Sequence, residues 1–79
     1  GFGVERGLTT AFSEGAEVIR AMRARATESW LVADSSKYGR AGFVRVMDLP
    51  DLHGVITDTR LAASDQAELN SSGVRARFV

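Results

Sequence analysis

Two short apolar runs, Trp30-Leu31-Val32-Ala33 and Gly54-Val55-Ile56-Thr57, each give way to an aspartate, Asp34 and Asp58. Runs this short, rich in strand-forming residues and without polar alternation, suit strands buried on both faces, as in a parallel sheet. Helical patterns stand before the first run and after the second. From Ser13 to Thr27, Val18, Ile19, Met22 and Ala26 fall on one face, and Glu17, Arg20 and Arg23 on the other. Glu14 and Glu17 early, with Arg23 and Arg25 late, complement the helix dipole. A weaker helix is predicted from Leu61 to Ser72, anchored by Ala67 and Leu69, with Gly73 where a left-handed terminating residue is common.

The intervening segments are less patterned. Residues 1 to 12 hold three glycines and no period, and read as a loop. Phe43 to Met47 alternates weakly and reads as extended, and Pro50-Asp51 marks a helical turn through Leu52 and His53. Val74 to Val79 alternates as a third strand, nearer an edge. The order helix, strand, strand, helix, strand predicts an α/β layer with a mostly parallel sheet.

Composition narrows the function classes. The chain has 79 residues, no cysteine and one histidine, His53. Thiolate metal sites and disulfides are therefore excluded, and neither a metal centre nor a catalytic triad is predicted. No cofactor is implied. Ten basic and ten acidic side chains are interleaved, so no basic stripe is present for nucleic acid. No apolar run reaches membrane-spanning length, and the absence of cysteine suits a reducing compartment, so a cytoplasmic protein is expected. The chain starts at Gly1 without an initiator methionine and closes on the apolar Val74–Val79 run, which predicts a piece of a longer polypeptide. A sheet cut in this way has an open edge, and self-association is expected from it.

The candidate site follows from where ligands bind in open α/β sheets, at the C-terminal ends of strands. Asp34-Ser35-Ser36-Lys37 lies just past one such end and Thr57-Asp58 past another. Lys37 is the single lysine among ten basic residues, a compact point charge suited to one phosphate or carboxylate oxygen. Two readings stand. The loop can cradle an anion with hydroxyls, backbone N–H groups and Lys37, or Asp34 and the serines can form a side-chain-to-backbone turn with Lys37 solvated. Gly7-Leu8-Thr9-Thr10, ahead of the first helix, can likewise bind an anion or, together with Ser13, simply cap the helix. Trp30 and Phe43 read as core, His53 as solvated, and Asp51 and Asp58 as too isolated for an acid–base pair.

Taken in order, Gly7-Leu8-Thr9, the glutamate-bearing helix Glu14 to Met22, Leu31-Val32-Ala33-Asp34-Ser35-Ser36-Lys37-Tyr38-Gly39-Arg40, Phe43 to Val46, Leu52 and Val55-Ile56-Thr57-Asp58 resemble the C-terminal sensor domain of DeoR-type bacterial transcriptional regulators. The resemblance covers nearly the whole chain. It implies the Rossmann-like α/β fold of sugar-phosphate deaminases, ribose-phosphate isomerases and CoA transferases. It also implies a repressor of sugar or nucleoside catabolism that releases DNA when a phosphorylated sugar binds. Carried over, Lys37, Asp34, Ser35 and Ser36 would touch that effector, and Gly7 and Thr9 would form another wall. The chain would be the C-terminal half of the sensor, residues 1–79, with DNA contacted only through a helix-turn-helix domain outside it. The family's Asp-Ser-Gly-Thr-Thr phosphate loop is absent. Ala11 stands where the related isomerases carry a catalytic glutamate, so binding without isomerisation is expected. The alternative is a fragment of a sugar-phosphate isomerase-like enzyme.

Overall fold

The second apolar run is the central strand of a small parallel sheet. A computed structural model describes the whole chain, residues 1–79. Its elements are β1 (Phe2–Gly3), β2 (Gly7–Thr10), α1 (Ser13–Arg25), β3 (Trp30–Val32), β4 (Val44–Met47), β5 (Gly54–Thr57), α2 (Ala63–Ser71) and β6 (Arg75–Phe78), with 3₁₀ turns at Ser35–Lys37 and Leu49–Asp51. Strands β3, β5 and β6 pair in parallel in that order, with Leu31 beside Val55 and Val55 beside Ala76. The βαβ connection from β5 through α2 to β6 matches the predicted order of strand, helix, strand.

The sheet is not one mostly parallel layer. β1, β2 and β4 form a separate antiparallel sheet, β1-β2-β4. The predicted loop over residues 1 to 12 thus contains two strands. Their pairing comes from β4, thirty-odd residues away, and from a tight reversal at Gly7, so no local alternation announces them. Gly7 has φ 73, and a Cβ there would stand 2.2 Å from the Met47 carbonyl oxygen. Glycine alone combines that backbone with that approach.

Burial also departs from the pattern. Only 14 of the 79 residues are buried, so polar contacts must carry much of the assembly. The core joins Phe2, Ala16, Val46, Leu49, Val55 and Leu69 with Met47, Leu52, Leu61 and Val74, and so draws on both sheets and the segments beside them. On α1, Ala16 is buried and Ile19 half-buried, while Val18 and Met22 are exposed. Arg20 and Arg23, predicted to face solvent, turn toward the protein. Arg20 donates from Nε to the Val46 carbonyl at 2.8 Å and from Nη2 to that of Arg45 at 2.5 Å. Arg23 donates from Nε and Nη2 to the Asp51 carbonyl at 3.0 and 2.8 Å. Backbone carbonyls of β4 and of the turn after it accept from these two guanidiniums and draw that side of α1 toward the antiparallel sheet, while Ile19 and Met22 border an open apolar groove with Leu8, Leu31 and Leu52.

Other expectations are corrected in the same terms. β3 is an edge strand, so Val32 is 73% exposed and Trp30 only half-buried. Phe43, read as core, is 94% exposed. On α2, Leu69 is fully buried but Ala67 faces solvent, and the helix starts at Ala63, two residues later than predicted. The cap residue of α1 is Phe12, with no side-chain cap from Thr9, Thr10 or Ser13. His53 is exposed yet bracketed: its Nδ1 accepts from Ser29 N–H at 3.0 Å and its own N–H donates to the Ser29 carbonyl at 2.8 Å. Gly73 adopts the left-handed conformation anticipated for it, φ 91.

The two α2 anchors separate cleanly in a test. Leu69→Ala is expected to lower unfolding free energy by about 2–5 kcal/mol, whereas Ala67→Ser should cost no more than about 0.5 kcal/mol. Urea midpoints of the two variants give the comparison, and equal losses would contradict this orientation of α2.

Candidate functional site at the strand ends

Parallel, in-register pairing of Trp30 with Gly54 and Val32 with Ile56 brings the ends of β3 and β5 to one edge. Beyond those ends, one carboxylate joins the two connections. Asp58 Oδ1 accepts from Ser35 N–H at 2.6 Å, and its Oδ2 accepts from Ser35 Oγ at 2.9 Å. The same Oδ2 accepts from Arg60 N–H at 3.1 Å and Arg60 Nε at 3.0 Å. These donors hold the Asp58 carboxyl well below the usual carboxylate range, the Ser35 backbone N–H contributing most and the Arg60 side chain helping. Asp58, placed past a strand end by the sequence but read there only as too isolated for an acid–base pair, is the organising group of the edge.

The Ser35–Lys37 turn is closed locally as well. Asp34 Oδ1 accepts from Ser36 N–H at 2.8 Å, and hydrogen bonding from Ser36 lowers the Asp34 carboxyl. The Lys37 N–H donates to the Asp34 carbonyl at 3.1 Å. The turn's N–H groups are therefore spent within the fold and do not form the backbone cradle that one reading anticipated. What remains for a ligand is side chain: the Ser36 hydroxyl, the Lys37 ammonium and the outer nitrogens of Arg60. Lys37 is exposed, with no side-chain hydrogen bond or ion pair inside the chain. Asp34, Ser35 and Ser36 line an open recess of about 590 Å³ together with Arg60, Leu61, Ala62 and Asp65. Arg60 was not singled out in the sequence. Its signal is faint, a cation two residues after a strand-ending aspartate.

Gly7 and Thr9 lie elsewhere. Gly7 is buried against β4, and neither residue lines the recess. Thr9, 3% exposed, donates from Oγ1 to the Gly1 carbonyl at 3.1 Å and accepts there from Gly42 N–H at 2.7 Å. The structure thus joins Asp34, Ser35 and Ser36 in one recess, sets Lys37 on its flanking turn, and uses Gly7 and Thr9 to close the antiparallel sheet.

The turn is tied to the rest of the fold on its far side too. Gly39 N–H donates to the Phe2 carbonyl at 2.8 Å, and the Tyr38 hydroxyl donates to Glu68 Oε1 on α2. Burial first, and then Glu68, pushes the Tyr38 phenol up, so it stays a proton donor. Nothing local could have paired Tyr38 with a residue 30 positions away.

With this edge described, comparison with known proteins is decisive at the family level. A family model for the DeoR C terminal sensor domain matches residues 1–59, a span that contains both Asp34–Lys37 and Asp58. The chain belongs to the DeoR C-terminal sensor domain family. It is also 41% identical over 71 residues, 90% of its length, to the HTH-type transcriptional regulator GlpR of Haloferax volcanii. The match spans 28% of that relative, which is archaeal, whereas the sequence resemblance pointed to bacterial regulators. No solved structure matches. The family is one of transcriptional regulators, so this sensor domain is regulatory and not an enzyme. No helix is long and apolar enough to cross a membrane.

The Asp58 contacts give the sensor a defined acid response. The ordinary carboxyl value is 3.8 and the folded value lies lower, so the unfolded chain takes up the proton first as pH falls. The Asp58 contribution is thus fully present above about pH 4 and is lost as pH drops through the folded value. Asp58→Asn is expected to flatten the acid limb of stability below about pH 4, followed by circular dichroism. An unchanged acid limb would place that dependence on other carboxylates.

Proposed function

We propose that this chain is the effector-sensing part of a DeoR-type transcriptional repressor of sugar or nucleoside catabolism, and that the effector is a phosphorylated sugar. It contributes the C-terminal half of the sensor, and DNA is contacted through a separate helix-turn-helix domain. The observation that carries this reading is the Asp58–Ser35 link, which holds Ser36 and Lys37 at the C-terminal edge of a parallel sheet. There Lys37 has no internal partner, and Arg60 has outer nitrogens to spare. A phosphate matches that set, since it offers acceptor oxygens to an ammonium, a hydroxyl and a guanidinium and asks for no general base.

The mechanism is a population shift. Effector at the strand edge favours an arrangement in which the DNA-binding heads no longer fit their operator, by the difference in its affinity for the two arrangements. Lys37 acts as a fixed point charge. The edge strands β3 and β6 support self-association of the regulator, since each has one unpaired side.

In the full-length protein, Lys37→Ala is expected to raise the sugar-phosphate concentration needed for operator release by about tenfold or more. Its melting temperature should be unchanged, because the side chain is exposed and unpaired. Fluorescence anisotropy of labelled operator DNA measures the effect, and wild-type induction in this variant would remove Lys37 from the site.

A further inference from the structure

The Ser35–Lys37 turn and the residues that follow it line two concavities. Asp34, Ser35 and Ser36 line the strand-edge recess. Tyr38–Ala41, Phe2–Arg6 and Glu68 of α2 together line a smaller cleft of about 240 Å³. Lys37 lies in the chain between the residues that line the two.

The chemistry of the smaller cleft differs from that of the recess. The ion pairs of the molecule are Arg45–Asp48 and Arg60–Asp58, which leaves Arg6, Arg40 and Glu5 exposed in the cleft and uncompensated. Tyr38 adds a half-buried ring, edge-on to Phe2 with centroids 5.3 Å apart, and its hydroxyl is held by Glu68. Guanidinium forks and carboxylates present paired, coplanar donors and acceptors, which match vicinal hydroxyl groups. An aromatic ring offers an apolar face to the C–H side of a sugar. Two carboxylates offset two guanidiniums, so the cleft has no net charge with which to hold a bare anion. They favour a neutral, polyhydroxylated body.

We infer that this cleft holds the hydroxylated body of the effector, with Arg6, Arg40, Glu5 and Glu68 reading its hydroxyl configuration while the phosphate reaches Lys37, next in the chain to Tyr38. The inference rests on the phosphorylated-sugar reading above. It assigns the part of the site that determines which sugar is sensed, because charged groups that a bound sugar would cover penalise a hydroxyl pattern that leaves them unpaired.

Titration calorimetry of the full-length protein separates the two assignments, with glucose 6-phosphate, fructose 6-phosphate, ribose 5-phosphate and inorganic phosphate as probes. Arg6→Gln, Arg40→Gln and Glu5→Gln remove no internal contact, and Glu68→Gln keeps an acceptor for Tyr38, so thermal scans should show all four folded. Each is expected to weaken the tightest sugar phosphate by about tenfold and to alter the ranking of the three sugars, with inorganic phosphate held as in wild type. Lys37→Ala should weaken sugar phosphates and inorganic phosphate alike. Sugar-phosphate affinities unchanged in all four cleft variants would overturn the cleft, even where Lys37→Ala acts. Weakened sugar-phosphate binding in the cleft variants with no effect of Lys37→Ala would uphold the cleft and remove Lys37. No binding of any phosphorylated sugar by the wild type would overturn both.

Discussion

The Asp58 carboxylate accepts hydrogen bonds from the backbone and hydroxyl of Ser35 and from the backbone and side chain of Arg60. Two strand ends and the approach to α2 therefore meet at one group. Parallel pairing alone would bring the ends of β3 and β5 together but would leave their connections free to diverge. With Asp58 ionised and fully hydrogen-bonded, the Ser35–Lys37 turn has a defined position, and every functional reading of the molecule depends on that position. An ionised acceptor makes stronger hydrogen bonds than a neutral one, which suits it to this task at a half-exposed edge.

The same economy runs through the rest of the fold. A chain of this size with so few buried residues cannot rely on apolar burial alone. Polar brackets fill the gap: Arg20 and Arg23 on the carbonyls of Arg45, Val46 and Asp51, His53 on Ser29, Thr9 on Gly1 and Gly42, and Tyr38 on Glu68. All but the Thr9–Gly1 contact join segments more than twenty residues apart. They hold the antiparallel and parallel sheets around one shared core, with α1 resting on the first and α2 on the second.

Much of the parallel half was legible. β3, β5 and β6 lie where short apolar or alternating runs placed them, and α1 and α2 lie where helical patterns did, because local period sets the type of element even where burial departs from it. The failures share a cause. Val18 and Met22 on α1, Phe43 and Ala67 were read as inward because they are apolar, yet each is exposed, since the packing of the folded elements sets side-chain orientation and residue type does not. β1 and β2 went unread because their partner is β4 and their turn depends on a single glycine conformation. The candidate edge was partly legible: Asp34 to Lys37 and the strand-ending Asp58 could be located, but not the bonds among them.

By itself, the sequence determined the family, the helices, the parallel strands and the position of the Asp34–Lys37 loop past a strand end. Those follow from order, period and motif, all of which are properties of neighbouring residues. Only the tertiary structure decided that Asp58 is the acceptor for Ser35, that Arg60 joins the same edge, that Gly7 and Thr9 close a second sheet, and that Tyr38 meets Glu68. The physical reason is range. Hydrogen bonds are directional and act over about 3 Å, so which donor meets which acceptor across 23 or 30 residues depends on the path of the folded backbone and not on residue type.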